Sequence, residues 1–167
     1  MEERQQTDLV GELRLLMKQA PEGCITFHDY MELCLYHPQF GYYCSDKQKI
    51  GVEGDFYTAS DVGGIMAKVI GRYYASLVEL NPTLVILAEW GGGTGKMAKT
   101  ILDTVQEIYP TVYEKMTYEV IEKSPYHRKL QQLELKEHRA HVRFISEEQW
   151  MVMEPRQGVF ILAQELL

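Results

Sequence analysis

The sequence has no long apolar segment and no recognisable export signal. Its longest apolar run is about seven residues, whereas a transmembrane helix needs roughly 18 or more. The amino terminus lacks a basic segment followed by an apolar core, which is the pattern of a signal peptide. We therefore expect a soluble, cytoplasmic protein with no membrane partner.

Basic residues are too few for a protein that binds nucleic acid. The 17 lysines and arginines are outnumbered by 24 aspartates and glutamates, which gives a formal net charge of -7. Binding to a phosphate backbone usually depends on a surplus of positive charge. We therefore expect no nucleic-acid partner.

Cysteine and histidine are sparse and form no metal-binding pattern. The cysteines Cys24, Cys34 and Cys44 include no CxxC pair, and we expect them to be reduced thiols. His138 and His141 straddle the predicted end of a helix, which disfavours a shared metal ion. The sequence therefore predicts no metal site.

The order of predicted helices and strands indicates an α/β protein. Apolar periodicity and capping residues predict helices over 7–20, 26–36 and 61–80, with a segment rich in glycine, aspartate and tyrosine before the third. Helices over 95–109 and from Ser124 alternate with the predicted strands, which are Leu84–Glu89, Thr117–Glu122, Val142–Ile145 and Val159–Ala163. Such alternation is typical of a parallel sheet. We predict a helical section at 1–82 and the first half of a Rossmann-like sheet at 83–167.

The third predicted helix carries an apolar stripe that we expect to face the core. Its members are Ile65, Met66, Val69, Ile70, Tyr73, Leu77 and Val78. Asn81 and Pro82 are expected to end this helix.

A glycine-rich stretch, EWGGGTGK, follows the first predicted strand. A phosphate-binding P-loop would need glycine at Trp90 and a hydroxyl residue at Met97, so that interpretation fails twice. The dinucleotide fingerprint fits Gly91 and Gly93 but has Lys96 in place of its third glycine. Binding of NAD is therefore disfavoured but stays open.

The same stretch matches, at every position, the acidic-x-Gly-x-Gly-x-Gly turn of class I S-adenosylmethionine methyltransferases. Without a Cβ, the backbone can approach a bulky nucleoside and can take dihedral angles that other residues avoid. A carboxylate at the end of the strand can receive the ammonium group of the methionine part of that cofactor, directly or through water. The residues that we assign to this site are Glu89, Gly91, Gly92, Gly93 and Gly95.

The second predicted strand supplies an independent candidate. A ribose that lies across a sheet needs a carboxylate at the end of the next strand, because both of its hydroxyls can donate to it. Glu122 stands at this position, in VIEKSP, just before the predicted helix cap. Together with the glycine turn it favours an adenosine-type ligand, without separating NAD from S-adenosylmethionine.

Five segments resemble the MidA family of S-adenosylmethionine methyltransferases in order and spacing. They are ITFHDYMELCLYHPQFGYY, GVEGDFYTASD, EWGGGTG, VIEKSP and FILAQELL. The Gly-Tyr-Tyr to Gly-Asp-Phe block is more specific to this family than the glycine turn, which all class I methyltransferases share. The resemblance extends over roughly residues 25–167 and favours S-adenosylmethionine over NAD.

The resemblance implies an enzyme that transfers a methyl group, with a protein as the implied substrate. Family members of the mitochondrial type methylate an arginine on a partner protein. Class I methyltransferases have seven strands in the order 3-2-1-4-5-7-6, and this chain would supply the part ordered 3-2-1-4. We therefore expect it to be the N-terminal, cofactor-binding portion of a longer enzyme.

The resemblance also implies several site residues. Asp55 and Glu165 are candidates for orienting the guanidinium of an arginine acceptor, and Gln164 is a candidate for cofactor binding. Gln164 stands where the family has asparagine, and Trp90 stands where it has leucine. After Thr58, the sequence ASDVGG also departs from the family pattern. The aromatic residues that could form the wall of the pocket are Tyr42, Tyr43 and Phe56.

An alternative function stays open, namely a non-catalytic assembly or interaction module that keeps a methyltransferase-like frame. The strand predicted at Val159–Ala163 would be an uncovered apolar edge of the sheet. Such edges pair readily with strands of other chains. We therefore expect a homo-oligomer that forms through this edge or its flanking face.

Overall fold

The computed structural model of the chain describes residues 8–45, 55, 64–154 and 156–164. It contains two compact units, residues 1–47 and 48–167. The helix predicted over 61–80 belongs to the second unit. The division of the chain into sections 1–82 and 83–167 stays a sequence-based prediction. None of the described helices has the length and apolar content that a bilayer crossing requires.

Two capped helices form most of the first unit. The elements are α1 (Leu9–Gln19), α2 (Phe27–Tyr36) and a single 3₁₀ turn (Tyr42–Cys44). The side chain of Asp8 accepts from the amide of Gly11 at 2.8 Å, and the hydroxyl of Thr26 accepts from the amide of Asp29 at 3.1 Å. These bonds satisfy amide groups that have no partner within the first turn of a helix. Asp8 and Thr26 are therefore the N-caps of the two helices.

The second unit contains a four-stranded parallel sheet. Its elements are α3 (Ile65–Leu80), β1 (Ile86–Trp90), α4 (Lys96–Ile108), α5 (Pro110–Tyr113), β2 (Thr117–Ile121), α6 (Pro125–Glu134), a 3₁₀ turn (Lys136–His138), β3 (Val142–Ile145), α7 (Glu147–Met151) and β4 (Val159–Ala163). The strand order is β3-β2-β1-β4, and all neighbours are parallel. This confirms the predicted fold class. The short helices α5 and α7 were not predicted.

Helix α3 packs on α4 through a face that contains small residues. Its buried residues are Ala67, Gly71, Tyr74, Ala75 and Val78. A Cβ on Gly71 would lie 3.2 Å from the carbonyl oxygen of Ile101, so the glycine lets the two helices approach closely. The predicted core stripe was wrong for Ile65, Val69 and Tyr73, because their side chains are exposed. Periodicity favours the largest apolar side chains, whereas close helix packing here requires small ones.

The core also lies against one face of the sheet. Leu87, Tyr118 and Val120 belong to it. Leu87 is in register with Tyr118, and Glu89 is in register with Val120. Because side chains alternate between the two faces of a strand, Glu89 points to the same apolar face.

His138 is buried and connects two helices. Its Nε2 lies 2.9 Å from Oδ1 of Asp103, and its Nδ1 lies 2.7 Å from the hydroxyl of Tyr113. Asp103 also forms an ion pair with Lys99, whose Nζ is 2.7 Å from Oδ2. Both ring nitrogens of His138 are thus engaged in structural contacts. Within the described ranges, no group of histidine, cysteine, aspartate and glutamate could hold a metal ion.

Candidate functional site

The candidate site lies at the edge of the sheet where the parallel strands end. The glycine turn follows β1, Glu122 follows β2, and Gln164 follows β4. The chain passes from β1 toward β2 and β3 on one side and returns to β4 on the other. In open α/β sheets, ligands bind at such a reversal of strand order, outside the carboxyl ends of the strands. The predicted cofactor residues Glu89, Glu122 and Gln164 therefore stand at the expected edge.

Each alternate glycine of the turn has a left-handed backbone. The φ angles are +67° at Gly91, +53° at Gly93 and +85° at Gly95. Residues with a Cβ pay roughly 1–2 kcal/mol for this conformation. Gly92 is required for a different reason, because a Cβ there would overlap the carboxylate of Glu89 and lie 2.7 Å from its Cδ. All four glycines thus have a structural role in the turn.

Glu89 lies directly under the turn and is 1% exposed. The nearby hydroxyl of Tyr118 is the only candidate hydrogen-bond partner for its carboxylate among the described residues. Burial raises the pKa of Glu89 to about 7, the hydroxyl of Tyr118 acts to lower it, and the charge of Glu122 raises it further. Burial and the nearby Glu89 also raise the pKa of Tyr118. The turn therefore covers a carboxyl group that readily changes its protonation near neutral pH.

Glu122 is held in place by several donors. Its Oε1 accepts from the backbone amide of Ser124 at 2.8 Å, and its Oε2 accepts from Nε2 of Gln131 at 3.3 Å. Burial raises the pKa of Glu122, while these two hydrogen bonds and one from the backbone of Gly93 act to lower it. Ser124 is also the N-cap of α6, where its hydroxyl accepts from the amide of His127. The start of α6 therefore fixes the orientation of the second carboxylate.

Gln131 is a residue of the site that the sequence analysis missed. It is fully buried, and its Nε2 also donates to the carbonyl oxygen of Gly93 at 3.0 Å. A Cβ on Gly95 would lie 3.1 Å from Cα of Gln131, so α6 approaches the turn closely. The only signal in the sequence is its four-residue spacing from His127, which is also buried on α6. Gln131 connects the glycine turn with Glu122.

The remaining predicted site residues are less completely described. Gln164 is half-buried after β4. Asp55 is exposed, and Glu165 and Phe56 lie outside the described residues. The catalytic roles of Asp55 and Glu165 therefore stay predictions. Two further candidates, which lie in the first unit with ring centroids 5.0 Å apart, are Tyr42 and Tyr43.

Trp90, which departs from the family pattern, has a partner in the same unit. Its ring meets that of Trp150 edge to face, with centroids 5.3 Å apart. The guanidinium of Arg156 lies 4.4 Å from the ring centre of Trp150 and binds both carboxylate oxygens of the buried Glu119, at 2.8 and 2.9 Å. Because Trp90 follows Glu89 in β1, it points to the opposite face of the sheet. This cluster packs against the end of β1 on the face of the sheet opposite to Glu89.

Solved structures with a similar fold include a protein bound to a methyltransferase product. A COG1565 superfamily member from Burkholderia thailandensis, crystallised with S-adenosyl-homocysteine, has a TM-score of 0.74 and 28% identity over 95% of this chain and 41% of that chain. A second COG1565 superfamily structure from the same organism has a TM-score of 0.67 and 26% identity, over 93% of this chain and 37% of that one.

The curated relatives are named as mitochondrial protein arginine methyltransferases. The Drosophila melanogaster NDUFAF7 homolog is 28% identical over 120 residues, which are 71% of this chain and 27% of the relative. Human NDUFAF7 is 31% identical over 90 residues, which are 53% of this chain and 20% of the relative. The chain thus spans about a quarter of the length of these relatives.

A family model matches most of the second unit. It is described as "Putative S-adenosyl-L-methionine-dependent methyltransferase" and matches residues 69–167, which are more than half of the chain. This match includes the glycine turn, Glu122 and Gln131, and it agrees with the resemblance found in the sequence. The cofactor predicted from the sequence, S-adenosylmethionine, is therefore confirmed for the family. The chain belongs to this family of S-adenosylmethionine-dependent methyltransferases.

Proposed function

We propose that this chain is the cofactor-binding part of a methyltransferase that acts on a protein, with the guanidinium of an arginine as the methyl acceptor. One structural observation carries the cofactor part of this proposal. The left-handed glycines of the turn lie over a buried carboxylate, Glu89, and α6 connects the turn with a second carboxylate, Glu122. The names of the curated relatives support the arginine acceptor.

The residues present fit S-adenosylmethionine well. We assign the ribose hydroxyls to Glu122, the backbone contact to the four glycines, and the ammonium of the methionine part to Glu89. The Glu89 carboxylate has no cationic partner among the described residues, and it lies so close to Gly92 that a Cβ there would overlap it. Gln164 stands at the reversal of strand order and completes the proposed set. When bound, this cofactor supplies an electrophilic methyl group on a sulfonium.

The charges at the turn disfavour a dinucleotide. Glu89 is a buried carboxyl group directly beneath the turn. When ionised, it repels an anionic pyrophosphate and attracts a cationic ligand. The site therefore favours a ligand with positive charge at this position.

The proposed acceptor requires carboxylate groups that bind and orient it. A guanidinium is cationic at all accessible pH values and binds carboxylates through paired hydrogen bonds. Asp55 and Glu165 are our candidates for orienting it and for taking up charge as a proton leaves. The rest of the rate enhancement would come from alignment of the acceptor nitrogen with the methyl group and from exclusion of water.

Calorimetric titration of the chain with S-adenosylhomocysteine and with NAD tests the cofactor part. We expect the first ligand to bind and NAD not to bind. Glu122→Ala should weaken binding at least tenfold, because one buried charge-assisted hydrogen bond contributes about 1.5–3 kcal/mol. Glu107→Gln, on the exposed side of α4, is the matched control. Binding of NAD alone, or of neither ligand, would contradict the proposal.

Transfer of a labelled methyl group from S-adenosylmethionine to arginine-containing peptides tests the acceptor part. We expect label on the guanidinium, and a lysine-substituted peptide is the control. Cofactor binding without any transfer would favour the alternative of a non-catalytic module. The cytoplasmic location stays a proposal that fractionation of cells would test.

A further inference from the structure

Glu89 is a buried carboxyl group for which the described residues supply no counter-charge. Its side chain is 1% exposed, and the neutral hydroxyl of Tyr118 is the only candidate hydrogen-bond partner among them. An ionised carboxylate left unpaired in such a place costs several kcal/mol, because water no longer solvates it. The group avoids this cost either by holding a proton or by receiving a cation.

The neighbours of Glu89 favour the neutral form when no ligand is bound. The titratable groups that act on it are Tyr118 of β2 and Glu122, which follows β2. Its register partner on β4 is the apolar Leu162. Burial raises the pKa of Glu89 to about 7, the Tyr118 hydroxyl lowers it and the charge of Glu122 raises it, and no lysine, arginine or histidine of the described part of the chain contributes to the shift.

Glu89 lies close enough to the turn to interact with a cationic group of a bound ligand. Gly92 lies so close to the carboxylate that an added Cβ would overlap it, so a ligand seated on the turn comes near to these oxygens. The product of the family, S-adenosylhomocysteine, carries an ammonium group on its amino-acid part. That group can replace a proton on Glu89 as the source of positive charge.

We propose that ligand binding at the turn is coupled to the loss of one proton from Glu89. Below neutral pH the free protein holds this residue mainly as a neutral acid, and entry of the ammonium group converts it to a carboxylate. The O–H bond of the acid breaks, and the proton passes to the solvent. The charge of the ammonium then replaces that of the proton. This coupling rests on the proposed function, because it requires a ligand with an ammonium group at the turn.

Proton release makes the affinity depend on pH in a defined way. Below the pKa of Glu89, each unit by which the pH falls lowers the affinity up to about tenfold, because the proton competes with the ligand. With a pKa of about 7, we expect affinity for S-adenosylhomocysteine to rise about tenfold from pH 6 to pH 8. Methylthioadenosine, which lacks the amino-acid part, should bind without this dependence.

The free protein provides the first test. Glutamate labelled with ¹³C at its carboxyl carbon is titrated by NMR in the wild-type chain and in Glu89→Gln. We expect one resonance with a midpoint near 7, which the variant lacks and the exposed control Glu107→Gln retains. Addition of S-adenosylhomocysteine at about pH 6 should move this resonance to its deprotonated position.

Calorimetry provides the second test. Titrations at about pH 6 in two buffers of different ionisation enthalpy give the number of protons released, which we expect to be close to one. Glu89→Gln should bind more weakly and release none, and methylthioadenosine should release none from the wild type. Release by Glu107→Gln should equal that of the wild type.

The outcomes separate this proposal from the proposed function. Normal binding of S-adenosylhomocysteine with an ordinary midpoint for Glu89, or without proton release, would overturn the coupling alone. Failure of the ligand to bind at any pH would overturn the proposed function and the coupling together.

Discussion

Nε2 of Gln131 donates a hydrogen bond to the carbonyl oxygen of Gly93 at 3.0 Å, although 38 positions separate the two residues. The same nitrogen lies 3.3 Å from the carboxylate of Glu122. This amide group therefore links the glycine turn after β1 with the carboxylate after β2. Because Gln131 is fully buried, removing its side chain takes this donor away from two acceptors inside the protein.

Replacing Gln131 should therefore destabilise both the glycine turn and the position of Glu122. We expect Gln131→Ala to lower the free energy of unfolding by about 1–3 kcal/mol, because it leaves buried acceptors unpaired. Urea unfolding measures this change, and calorimetry should show weaker binding of S-adenosylhomocysteine. Gln106→Ala, on an exposed position of α4, is the matched control. An effect no larger than that of the control would contradict the connecting role.

Gly92 should be required only because Glu89 lies beside it. We expect Gly92→Ala to destabilise the chain by about 1–3 kcal/mol, since its Cβ would overlap the carboxylate. In a Glu89→Ala background the space is open, so the same substitution should cost much less. Urea unfolding of the four proteins gives the interaction energy directly. Equal costs in the two backgrounds would show that the overlap is not the reason for the glycine.

Glu89 should make the folded chain less stable as the pH rises. Its pKa is about 7 in the folded state and 4.5 for an ordinary glutamate, so between these values the folded state holds a proton that the unfolded state has lost. Stability therefore falls as the pH rises from about 4.5 to about 7, by about 3 kcal/mol at most. Glu89→Gln removes this contribution, and urea unfolding at several pH values measures it.

The comparison between variants isolates Glu89 from other titrating groups. Relative to the wild type, Glu89→Gln should gain stability across this pH window, whereas Glu107→Gln should follow the wild-type curve. Parallel curves for Glu89→Gln and the wild type would mean that Glu89 titrates normally.

The sequence predicted the parts of the site that depend on local backbone conformation. The alternate spacing of Gly91, Gly93 and Gly95 corresponds to three left-handed residues in one turn. Glu89 and Glu122 could be predicted as well, because each stands at the end of a strand with a recognisable apolar pattern. The strand order followed from the alternation of elements together with the family resemblance.

Contacts between distant segments could not be predicted in this way. A glutamine on a helix is ordinarily exposed, so the burial of Gln131 has no local signal. The exposed side of α3 was predicted as buried because its largest apolar residues follow helical spacing. Trp90 was an unexplained departure until its contact with Trp150, 60 positions later, was visible. In each case the partner is far away in the chain.

The ion pair between Arg156 and Glu119 should be necessary for stability. Glu119 is 1% exposed, and Arg156 binds both of its carboxylate oxygens. We expect Arg156→Ala to cost about 3–5 kcal/mol, because it leaves a buried carboxylate without its partner. Thermal or urea unfolding measures this, and the double variant Arg156→Ala with Glu119→Gln should recover part of the loss. A loss below about 1 kcal/mol, typical of exposed ion pairs, would contradict this expectation.

The edge of the sheet at β4 should mediate self-association. Among the described strands, β4 pairs only with β1, and Ile161 on this strand is 58% exposed. An unpaired apolar edge presents backbone donors and acceptors to another strand. We expect light scattering of the chain at high micromolar concentration to show dimers or larger species. Ile161→Lys should shift the distribution toward the monomer, whereas Glu107→Gln should not, and a monomeric wild type would contradict the prediction.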